Sequence, residues 1–163
     1  MKKSVSIMIA ALLLLTGLNL VAEVRHAENS VNAAAPQAGT TEKLCAGTYI
    51  VYARSPQAWR FTVDPKTMAN ATVVGHFAVS AGSPQNVDVL IYSEENFHKW
   101  RSDDAATQTS AGKPVYQSGR KTEGDVSVKI TEPGNYYLVL SNLFAYEGTK
   151  TVNADFKLQF DKK

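Results

Sequence analysis

One cysteine, Cys45, is all that 163 residues contain. A single thiol excludes an internal disulfide and leaves no set of thiolates at structural zinc spacing. Histidine is nearly as scarce: His26, His76 and His98 are the whole supply, and no serine sits in a nucleophile-elbow pattern that could use one. No glycine-rich loop is placed to cradle a phosphate, and no carboxylates follow a calcium-loop series; Asp103-Asp104 alone are a faint hint of one. Basic residues barely outnumber acidic ones, 17 to 15, so nucleic acid finds no concentrated basic face. Beyond the first twenty or so residues no stretch is apolar enough to span a bilayer. No cofactor and no metal are expected, and a non-enzymatic role is the reading these absences leave.

What is present begins with an export signal. Lys2 and Lys3 form a positive n-region, Val5 to Leu15 an apolar core broken only by Ser6, and Leu20-Val21-Ala22 a small-residue cleavage site ahead of Glu23. The apolar run is shorter than the roughly 18 to 20 residues of a spanning helix, the alternative being an N-terminal anchor. Residues 1–22 are therefore expected to be a signal peptide and the mature protein to be secreted or periplasmic. Cleavage removes Lys2 and Lys3, leaving 15 cationic against 15 anionic side chains. Residues 23–43, rich in Ala, Asn and Thr with Pro36 and Gly39, read as a flexible tether. Residues 44–163 then suffice for one domain with one core. Glu42-Lys43-Leu44 is no lipobox, so Cys45 is expected to be a small buried hydrophobe at the start of the first strand, with an intermolecular disulfide as the alternative.

Inside the domain, short segments of period two are separated by turn residues. Gly47 to Ala53, Ala58 to Val63, Ala71 to Ala81, Val87 to Ile91, Val115 to Ser118, Val126 to Ile130, Tyr136 to Ser141 and Val152 to Phe160 predict eight strands. Gly75 marks a bulge or a close approach. Pro133-Gly134 fits the centre of a type II turn, and a hairpin-type connection is expected before the last strand. The fold class is all-β, an antiparallel β-sandwich or jelly roll of about eight strands with one short helix. Ser93 followed by Glu94 and Glu95 predicts that helix, with Phe97 and Trp100 on one face, as a plug over an open end of the sandwich.

The segment from Val73 to Phe160 resembles the GOLD domain, the β-sandwich of eukaryotic secretory cargo receptors. The resemblance lies in Asp88-Val89 before an apolar strand, in Pro133-Gly134-Asn135-Tyr136 with Asn142, and in Lys150-Thr151-Val152 opening the last strand. It implies the sandwich fold and a general recognition role. The receptors' disulfide is not implied, since Val139 stands where one cysteine would fall, and with Lys163 as the last residue no coiled coil, membrane span or cytoplasmic tail is matched. Gly134-Asn135-Tyr136-Tyr137-Leu138-Val139 is also similar to the pre-peptidase C-terminal domain of secreted bacterial hydrolases.

Function is expected in recognition of a protein or a glycan, or in envelope structure. The candidate ligand-binding residues are the large aromatics Trp59, Phe97, Trp100 and Tyr116. A carbohydrate-binding module is the first alternative and a small secreted hydrolase a distant one. An exposed planar row of Trp59, Trp100 and Tyr116 would favour sugar stacking; His76 or His98 meeting a carboxylate and a hydroxyl in a cleft would favour catalysis. Glu94-Glu95 are expected to be solvated.

Overall fold

The computed structural model describes residues 39–102 and 112–163. The signal peptide, the tether up to residue 38, His26 and Asp103-Asp104 lie outside the described residues. The elements are β1 (Thr40–Tyr52), β2 (Gln57–Val63), β3 (Met68–Ala81), β4 (Asp88–Ser93), α1 (Glu94–Ser102), β5 (Tyr116–Gln117), β6 (Glu123–Lys129), β7 (Gly134–Ser141) and β8 (Thr149–Lys162). The eight strands expected from alternation all form. The first opens earlier than expected: Thr40 to Lys43, assigned to the tether, already pair with β8 from Lys157 to Phe160.

Two antiparallel four-stranded sheets run in the orders β1-β8-β3-β6 and β2-β7-β4-β5. Apart from β4 to β5, every strand passes to the opposite sheet, which is jelly-roll winding within a sandwich. The expected hairpin before the last strand is therefore absent: β7 pairs with β2 and β4, β8 with β1 and β3. The preceding turn also differs. Gly134 has φ near +145°, not the roughly +80° of a type II turn, and opens β7 opposite Val63. A chain crossing between sheets needs an extended corner, and glycine supplies it.

The core lies between the sheets. Val152, Ala154, Phe156, Leu158 and Phe160 turn inward from β8, as their alternation predicts, against Val73 and Phe77 of β3 and Leu138 and Leu140 of β7. Gly75 is the close approach rather than the bulge: a Cβ there would stand 2.5 Å from Phe156 Cδ1. The register shifts of β3 fall instead between Ala69 and Thr72 and between Val79 and Ala81. Cys45 is buried against Phe156, as expected of a small hydrophobe, although inside β1 and not at its start. One end of the interior is polar. Lys150 and Asn142 continue the inward-facing series of β8 and β7 and are both buried; Lys150 Nζ donates to the Pro84 carbonyl.

β4 departs from simple alternation because both of its faces are covered. Val89 and Ile91 enter the main core, while Leu90 and Tyr92 point the other way and meet Phe97 and Trp100 of α1, with Val139 of β7. The helix thus lies on the outer face of the second sheet, and the expected plug over an open end is corrected. Ser93 caps it, its Oγ accepting the Asn96 N–H at 3.4 Å. Glu94 fixes the same end to the sheet through Arg60 Nη2 at 3.0 Å and Asn135 Nδ2 at 2.9 Å.

Candidate functional site

Covering half of a sheet face leaves the other half to form a cleft. Beside α1, the outer face of β4, β5 and β7 is the floor of a cavity of about 830 Å³, within the range of small-ligand sites. The floor carries Asp88, Leu90, Gln117 and Ser141, and Trp100 stands in one wall. The rim carries Lys113 and two arginines on aromatic rings, Arg120 at 4.5 Å from the Phe144 centroid and Arg54 at 5.7 Å from that of Tyr146. Arg54 reaches the rim from the tight β1–β2 turn, where its φ is +59°.

Asp88 is the unusual group. It is 8 % exposed, and none of the ion pairs among the described residues includes it. Gln117 Nε2 donates to Oδ2 at 2.5 Å, and Ser118 Oγ lies 3.3 Å from Oδ1. That hydroxyl has a single proton and is closer, 2.7 Å, to the Gly119 carbonyl. A carboxylate taken from water with so few donors is costly unless something compensates it. Burial pushes the Tyr92 phenol up to about 12, and the Asp88 charge adds to that rise.

The structure scatters the aromatics expected to bind a ligand. Phe97, 7 % exposed, stacks on Tyr137 at 4.0 Å, and Trp100, 6 % exposed, stacks on Tyr92 at 5.1 Å, so both serve mainly to seat the helix. Trp59 is half-buried, edge-on to Tyr49 at 4.8 Å. Tyr116 pairs with Ile91 and is half-buried against the main core. Of the four, Trp100 alone lines the cleft, and no planar exposed row forms from them. His76 sits on the polar outer face of the first sheet with Nδ1 2.8 Å from Asp125 Oδ1, and His98 packs edge-on to Tyr137. Glu95 is held by Lys99 one helical turn on. Sequence reading missed Ser141, Gln117, Arg120 and Phe144, which come from two separate stretches of the chain, 117–120 and 141–144. Asp88 had a signal: a charged residue directly ahead of the apolar run Val89 to Ile91.

The tyrosine of the Pro133-Gly134-Asn135-Tyr136 turn has an architectural role. Its ring stacks on Phe61 at 5.5 Å inside the sandwich, and its hydroxyl donates to the Glu132 carbonyl at 2.7 Å, four residues upstream. Asn135 faces outward, accepting from Thr62 Oγ1 at 2.8 Å and donating to Glu94. A sequence model of the emp24/gp25L/p24 family, the GOLD domain, matches residues 63–163. The chain belongs to the emp24/gp25L/p24 GOLD family. No curated protein matches it. The matched region runs from the end of β2 to the last residue and so contains most of the sandwich, α1 and the floor of the cleft. Within this GOLD domain the turn motif fixes a corner of the fold and the seat of the helix, and the cleft lies apart from it. The family is one of non-catalytic β domains of cargo-receptor type. No helix among the described residues is long and apolar enough to cross a membrane.

Proposed function

We propose that this GOLD domain is an exported recognition module that binds a protein partner in the cleft on the outer face of its second sheet. The observation that carries the reading is the cleft itself: about 830 Å³ floored by a buried carboxylate and rimmed by cations on aromatic rings. Rigid strands hold the floor, and loops supply the rim, an arrangement common to binding sites on β frameworks. Family membership favours recognition over catalysis, and the positively charged n-region with its apolar core favours export, with residues 1–22 removed and 23–38 linking to the domain. The glycan alternative loses its main support with Trp100 and Tyr116 turned into packing. Ala145→Trp would fill the cleft from the rim without touching the main core. Capture from the native host followed by mass spectrometry should show partners of the wild-type chain missing from this variant; unchanged capture would sink the cleft reading.

A further inference from the structure

We infer that the cleft takes a mixed-charge peptide segment, with a lysine or arginine side chain descending to Asp88 and flanking acidic residues meeting the rim. The inference rests on the cleft being the recognition site and names what that site selects. Its first support is the floor. Asp88 is nine-tenths buried and lines the cavity, yet no cation pairs with it among the described residues. Residues 103–111, outside the described residues, contain no Lys or Arg. Gln117 orients the carboxylate without neutralising it. A ligand ammonium or guanidinium is the group whose charge would compensate that burial, through a charge-assisted hydrogen bond.

The second support is the rim, which has the opposite sign. Arg54, Lys113 and Arg120 surround the opening, and none forms an ion pair with a carboxylate among the described residues. Arg54 and Arg120 rest on Tyr146 and Phe144, which leaves their guanidinium edges free to donate. A purely basic ligand would be repelled at this ring before reaching Asp88. A purely acidic one would be held at the rim and refused by the floor. A segment with alternating signs satisfies both layers, and the like-charge penalties reject the other two classes.

Keeping a carboxylate buried for a ligand has a consequence in the free protein. Neutralising it should not weaken the fold, because an uncompensated charge is removed while the shape is kept. Asp88→Asn is therefore the deciding variant. The probe is the peptide acetyl-EGKGE-amide, compared with the version in which norleucine replaces lysine and the version in which glutamines replace both glutamates, titrated calorimetrically against the mature protein. Asp88→Asn and the norleucine peptide should each weaken binding about thirtyfold or more, the loss typical of removing one partner of a buried charge pair. The glutamine peptide, and Arg54→Gln with Arg120→Gln, should weaken it less and flatten its salt dependence. The denaturation midpoint of Asp88→Asn should equal or exceed that of the wild type. A lowered midpoint, or equal affinity for the lysine and norleucine peptides, overturns the inference. Capture from the native host separates this from the broader reading: partners kept by Asp88→Asn but lost by Ala145→Trp would overturn the cationic anchor alone, whereas partners kept by both would remove the cleft as well.

Discussion

At the scale of single residues, burial decides what each polar group can do. Cys45 shows this with its thiol, pushed up to about 11 from 9.0, chiefly by burial and against hydrogen bonds from Phe156 and Tyr49. A raised pKa in the folded state means that the unfolded chain loses its proton first. The associated stability is therefore complete below about pH 9 and drains away as pH rises toward about 11, a loss of up to roughly 3 kcal/mol. The stability gap between wild type and Cys45→Ala, followed by urea denaturation from pH 8 to pH 11, should shift by that amount against the wild type. A gap independent of pH would show that the thiol is not held protonated. Lys150 titrates in the opposite sense, since burial lowers its pKa and its contribution grows with pH up to its unfolded value; the Cys45→Ala comparison cancels it.

The decisive element is α1. Nine residues are too few to hold as an isolated helix, so its persistence rests on the Ser93 cap, the Glu94 ties to Arg60 and Asn135, and the aromatic layer of Phe97 and Trp100 on Tyr92 and Tyr137. Deleting the Trp100 side chain removes much of that layer and one wall of the cleft. Trp100→Ala should cost about 3 to 5 kcal/mol in chemical denaturation, as buried tryptophans do. In a Trp59→Phe background, Trp100 fluorescence should resist acrylamide. Ready quenching with a cost below about 0.5 kcal/mol, the usual size of a surface change, would place the ring in solvent and detach the helix from the sheet.

For the molecule as a whole, two outer faces of the sandwich differ in kind. The first sheet turns Thr48 with Asn153 and His76 with Asp125 to water as cross-strand pairs, and Asp155 with Lys157 along β8, the ordinary finish of a solvated sheet. The second sheet turns apolar and buried polar groups outward and covers only part of them with α1. That asymmetry is what the proposed binding side rests on. On the proposed export, protein recovered from the native host should have an intact mass corresponding to a chain beginning at Glu23. A mass that includes residues 1–22 would remove the proposed export, and with it the expectation that partners are extracytoplasmic.

Alternation by itself determined the strands, because a two-residue period is written directly into which positions are apolar, and it identified the inward series of β8 residue by residue. It also located α1, since Ser93-Glu94-Glu95 is a local capping signal. Local signals carry no information about which sheet a strand joins. The corner at Pro133-Gly134 therefore looked like an ordinary turn and the β7–β8 connection like a hairpin, although each crosses the sandwich. The aromatic side chains were ambiguous for the same reason, since Trp100 reads alike whether water or Tyr92 lies beneath it. Only the tertiary structure put Asp88, Gln117, Arg120, Ser141 and Phe144 around one cleft, because their proximity comes from pairing β4 with both β5 and β7 and from α1 taking half of that face.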